Sequence, residues 1–111
     1  MSSDLALAMH IRDSLREVGR FVEGMSYEDS LENRMAQNAV MRSFEVVGEA
    51  AGRTSLGLRQ AHPEVPWRLM GDFRNKLIHD YFELDLEIIW KTAAEDAPSL
   101  LARIEELIED L

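Results

Sequence analysis

The chain has 111 residues, no cysteine and a formal net charge of −9. That length suits a single domain, residues 1–111, able to bury a core of its own, and the absence of thiols excludes disulfides and thiolate metal sites. A balance this acidic also argues against a protein that gathers nucleic acid by bulk attraction alone.

Met1-Ser2-Ser3-Asp4 lacks the basic start and apolar run of a signal peptide, and every apolar run falls far short of a membrane span. A soluble, cytoplasmic protein is expected. Leu5, Ala8, Ile11, Leu15, Val18 and Val22 recur at three- and four-residue steps, which predicts an amphipathic first helix capped by Ser3 or Asp4 and stopped at Gly24. Arg12, Arg16 and Arg20 form a basic row along it, read as a solvated face paired with Asp13, Glu17 and Glu23, or else as the wall of a groove for RNA.

A second helix is predicted to start near Ser26-Tyr27-Glu28-Asp29 and to run through Met35, Val40, Phe44 and Val47 to about Gly52. Its end is lined with small residues, Gly48, Ala50, Ala51 and Gly52, which permit close approach of another helix. Thr54 to Ala61 reads as a short helix that Pro63 and Pro66 interrupt. Trp67 is expected to anchor the turn through its indole N–H on a backbone carbonyl. A third long helix then begins, with Pro66 in its first turn, and runs through Arg74-Asn75-Lys76-Leu77-Ile78-His79-Asp80-Tyr81. Leu84-Asp85 breaks the pattern, Asp85 caps a last segment, and Pro98 must kink or restart it before Leu100, Leu101, Ile104, Leu107, Ile108 and Leu111 complete the apolar stripe. With no alternating strand pattern the predicted class is all-α, an antiparallel bundle of four to five helices.

The stretch from Arg74 to Tyr81 holds most of the chemistry. Arg74 is a permanent cation whose planar fork matches phosphate oxygens. His79 can take or give a proton near neutrality. A base, an acid and a cation suffice to turn an RNA 2′-hydroxyl on its own phosphodiester without a metal. Spacing complicates the pair. Residues five apart on a straight helix diverge by about 140°, whereas Arg74 and Tyr81, seven apart, share a face. Either the helix loosens near His79 or a second copy of the chain completes the site. A surface arginine and a helix-end histidine with no shared task would leave the same spacing.

The stretch resembles the Arg-x-x-x-x-His-x-Tyr motif of the HepT-like HEPN ribonucleases, toxins of a toxin–antitoxin system, including Asn75 directly after the arginine. The likeness continues through His62-Pro63-Glu64-Val65-Pro66-Trp67, Gly71-Asp72-Phe73, Phe82, Leu84-Asp85, Ile88-Ile89-Trp90 and Pro98, with Gly48-Glu49-Ala50-Ala51 upstream. It implies a HEPN-like bundle acting as a homodimer on RNA, with catalytic Arg74 and His79 and products ending in a 2′,3′-cyclic phosphate. Asn75 would orient the phosphate, Asp80 would fix the imidazole tautomer, and Arg42 and Glu49 would brace the motif. It further implies that a cognate minimal nucleotidyltransferase, the antitoxin, silences the enzyme by adding AMP to Tyr81.

From Glu83 onward nine acidic residues face only Lys91 and Arg103, so the motif itself lies in a nearly balanced region. No cofactor is expected. His10, His62 and His79 are too scattered for a metal site, and no glycine loop cradles phosphate. Two other readings stay open: a non-catalytic HEPN protein that binds nucleotide or docks a nucleotidyltransferase through the same residues, and a plain helical interaction domain.

Overall fold

The first helix, α1 (Asp4–Val22), starts where Ser3 accepts the Ala6 N–H at 3.1 Å, one of the two expected caps. Its buried face is Leu7, Ala8, Ile11, Leu15 and Val18, while Leu5, expected in the stripe, is 41 % exposed. The turn after α1 uses Gly24 at φ +74°, in the left-handed region that glycine enters without a Cβ penalty. This structure, a computed structural model, describes residues 3–111; Met1 and Ser2, at the head of the stretch read as lacking a signal peptide, lie outside the described residues.

The predicted second helix is two. Ser26 and Asp29 form a reciprocal capping box at the start of α2 (Tyr27–Leu31), and the chain then breaks at Glu32 and Asn33 before α3 (Arg34–Arg53). Asn33 causes the restart, since its Oδ1 accepts the Ala36 N–H at 2.9 Å. Gln37 ties the two pieces together by donating to the Ser30 carbonyl at 2.7 Å.

Ser55 caps the short α4 (Leu56–Ala61), and its backbone N–H and hydroxyl both donate to Asp4. The end of α3 therefore lies beside the start of α1, and the two helices run antiparallel. The indole of Trp67 donates to the His62 carbonyl at 3.0 Å, the anchor expected of it. Pro66 sits one residue before α5 (Trp67–His79), at its cap rather than in its first turn.

The third long helix ends sooner than predicted. At His79 the chain leaves α5 for a single 3₁₀ turn, Tyr81–Glu83. No glycine or proline stops it. Turning there brings Leu84 and Leu86 back against the core. Asp85 then caps α6 (Leu86–Lys91) by accepting the Glu87 N–H at 2.9 Å, as expected. A π-turn, Thr92–Asp96, joins α6 to α7 (Ala97–Glu109), and Pro98 falls in the first turn of α7. The wide turn removes the clash that a proline ring makes with the carbonyl four residues earlier.

Four long helices make an all-α bundle. α1 packs on α3 and α7, α3 packs on α5, and Arg16 meets Glu105 at 3.1 Å across α1 and α7. Ile11, Leu15, Val18, Leu77, Ile104 and Leu107 are fully buried at its centre. Each such side chain contributes about 1.5–3 kcal/mol relative to exposure. Among the described residues there is no strand, and no helix is long and apolar enough to cross a membrane.

Candidate active site

α5 is held on its inner face by Met70 and Leu77, both buried, and by Phe73, whose ring meets Phe44 of α3 edge-on at 5.3 Å. These residues fix the rotation of α5, so the polar residues of its last turns point away from the core. Asn75 and His79 are exposed, and His79 is the last residue of the helix.

Arg74 lies between core and surface. Its Nη1 donates to Asn75 Oδ1 at 2.9 Å, while its Nε is buried with no hydrogen-bond partner. An unsatisfied buried donor costs about 1–3 kcal/mol, more when charged, so this seat is retained against an energetic penalty. The opposing wall is Gly48 of α3. A Cβ at that position would lie 2.6 Å from the Met70 carbonyl oxygen and would collide with the Arg74 Cβ. Gly52, one turn later, has open space around it. Of the small residues noted at the end of α3, Gly48 is therefore one at which a side chain could not fit beside α5.

The other predicted site residues are distributed around this centre. Asp80 caps α5 through its own N–H, 2.9 Å from the Lys76 carbonyl, and its exposed carboxylate makes no bond to His79. That i→i−4 bond keeps the helix regular to its end. Of the two alternatives, a helix loosened near His79 is not what the structure has, and within one chain Arg74 and His79 diverge by about 140°. Tyr81 lies beyond the helix end, so the seven-residue argument placing it on the face of Arg74 does not apply. Arg42 pairs with Glu45 at 3.3 Å and Glu49 with Arg53 at 3.0 Å, and neither bonds to Arg74, Asn75 or His79.

Two features were missed in the residues alone. One is the seat that Gly48 makes for Arg74; a glycine inside an otherwise strong helical pattern was the available signal. The other is Phe82, 97 % exposed, its ring edge-on to the half-exposed Tyr81 at 5.4 Å. Ile78 and Ile88 are exposed as well.

A cavity of about 620 Å³ lies between α3, α5 and α7, walled by Phe44, Val47, Met70, Phe73 and Leu100, but no residue from Arg74 to Tyr81 lines it. Of the motif's polar residues, Asn75, Lys76, His79, Asp80 and Tyr81 are exposed, while Arg74 is half-buried. Among the described residues no three His, Asp or Glu side chains gather as ligands for a metal ion.

The family model described as "Ribonuclease HepT-like" matches residues 11–107. A Thermococcus cleftensis protein named "Probable ribonuclease HepT" is 39 % identical over 97 residues, covering 87 % of this chain and 88 % of the relative. Two Methanocaldococcus jannaschii proteins named "Putative RNase" are 35 % identical, one over 96 % of this chain and 88 % of its own length, the other over 90 % and 92 %. No solved structure matches the chain.

Proposed function

Because the chain belongs to the HepT-like ribonuclease family, we propose that it is a metal-independent endoribonuclease, the toxin of a type VII toxin–antitoxin system, acting in the cytoplasm as a homodimer. The observation that carries this reading is that the last turns of α5 carry both a seated Arg74 guanidinium and an exposed His79 imidazole. His79 takes the proton of the RNA 2′-hydroxyl as its oxygen attacks the adjacent phosphorus, and Arg74 holds the charge that builds on the phosphoryl oxygens. The bond to the 5′-oxygen breaks and that oxygen takes up a proton, leaving a 2′,3′-cyclic phosphate and a 5′-hydroxyl.

A dimer answers the divergence of Arg74 and His79 on a regular helix. Two α5 ends facing each other would set the arginine of one chain toward the histidine of its partner, with one histidine as base and the other as acid. The exposed Ile78, within the motif, and Phe82, against Tyr81, supply apolar surface for such a contact. Tyr81 is 43 % exposed at the same end, open to a nucleotidyltransferase antitoxin that transfers AMP to its phenol. The added phosphate and nucleoside would repel and obstruct RNA.

The test is cleavage of RNA in EDTA, with the new ends analysed for cyclic phosphate. Metal-free cleavage that is lost in His79→Ala supports the reading. A protein that binds nucleotide without cleaving any RNA, alone or freed from its antitoxin, would replace it with the non-catalytic alternative.

A further inference from the structure

A residue with no side chain sets the depth of the proposed catalytic arginine. α5 presents Met70 and Arg74, one turn apart, to α3, and the backbone of Gly48 fits between them. The Met70 carbonyl oxygen lies 2.6 Å from where a Cβ would stand, whereas ordinary contact begins at 3.4 Å. Any side chain at residue 48 would therefore push α5 outward at the Arg74 position by roughly 1 Å, a displacement that in an active site can cost on the order of a hundredfold in rate.

The second observation is the Arg74 Nε, buried without a partner. Nothing polar draws it inward, so packing alone keeps it there. With Nε held in the protein and Nη1 engaged by Asn75, the guanidinium meets a ligand through its terminal nitrogens. Resting on the reading of Arg74 as the phosphate-binding cation, we infer that Gly48 is a positioning residue for Arg74. It selects the end-on presentation of the fork to the scissile phosphate by leaving room for Cβ and Nε to sink against α3. Glu49 and Arg53, paired with each other one turn along, form the solvent-facing side of the same helix and are not needed for this.

The experiment compares Gly48→Ala with Gly52→Ala, a control on the same helix with nothing within 4 Å. The Arg74 Nε–H resonance is followed by ¹⁵N NMR, assigned by its loss in Arg74→Lys, and RNA cleavage is measured in single turnover. In the parent protein this resonance should exchange slowly with water. Gly48→Ala should lose that protection and fall on the order of a hundredfold in cleavage, while Gly52→Ala retains both. In an Arg74→Lys background, Gly48→Ala should reduce cleavage no further. Slow exchange and undiminished cleavage in Gly48→Ala would overturn the inference, as would additive losses in the double variant. If the parent cleaves no RNA, the proposed function fails, and the resonance alone decides whether Gly48 seats Arg74. Should Gly48→Ala not fold, exchange of the Arg74 Nε–H in the parent protein decides: slow exchange supports the seat against α3, and exchange as fast as that of a solvent-exposed guanidinium overturns it.

Discussion

Arg74 donates to the side chain of its own neighbour, Asn75, through Nη1 at 2.9 Å, while its Nε finds no acceptor. Asn75 thus tethers the exposed end of a guanidinium whose inner end is fixed only by packing. Asn75→Ala should free that end to rotate. One neutral-to-charged hydrogen bond contributes about 1.5–3 kcal/mol, so a loss on the order of ten- to a hundredfold in cleavage is expected. Single-turnover cleavage at saturating protein checks it; full activity would leave the tether without a role.

His79→Ala should abolish cleavage and leave the melting temperature within about 4 °C, since an exposed substitution usually shifts stability by roughly 0.5 kcal/mol or less. Arg74→Lys should cleave RNA on the order of a hundred- to a thousandfold more slowly, a residual rate still measurable in single turnover, because an ammonium cannot reproduce the planar fork. Parallel melts and EDTA cleavage assays decide the matter. A folded His79→Ala protein that still cuts RNA removes this imidazole from the mechanism.

Phe82→Asp should weaken self-association. A central aromatic anchor typically contributes 2 kcal/mol or more to an interface, about thirtyfold in Kd. Sedimentation at a series of concentrations measures it. A parent protein that stays monomeric at tens of micromolar, the order at which weak dimers form, would count against a dimer built at this end.

Incubation with the cognate nucleotidyltransferase and ATP should add AMP to Tyr81, and Tyr81→Phe should accept none. Peptide mass spectrometry locates the adduct. Modification confined to the half-buried Tyr27 would reassign the target.

Asp4 links α1 to the cap of α4, and its carboxyl is held below its ordinary range by the Ser55 hydroxyl and then by the Ser55 backbone N–H. A depressed carboxylate stabilises the fold above its unfolded pKa, about 3.9, and that contribution disappears as pH falls through the lower folded value. Asp4→Ala should melt below the parent protein at pH 6, and the gap should shrink on acidification below about pH 4. A gap independent of pH would assign the effect to lost packing.

Much of this fold could be read from residue spacing, because buried stripes with strong periods, such as Ile11, Leu15 and Val18, leave little choice of face. The break before α3 could not, since the apolar period runs on across it and only Asn33 marks the cap. The end of α5 at His79 carries no local stop signal; it is decided by where Leu84 and Leu86 must pack. The motif itself was legible as a string of side chains. Its geometry was not. The orphaned Nε and the collision at Gly48 belong to the crossing of two separate helices, α3 and α5, and the regular end of α5 decides that Arg74 and His79 diverge.

The π-turn ahead of Pro98 has a consequence for descent. Ala97 bonds back to Thr92, one residue further than in an ordinary helical turn, so the chain carries a supernumerary residue here. The surplus residue and the proline are therefore expected to be inherited together. A lineage that loses Pro98 can shed one residue and regain a regular helix; one that keeps it cannot shorten without driving the ring into a carbonyl. Length between Leu86 and Ile104 should therefore track the identity of residue 98 across the family's branches.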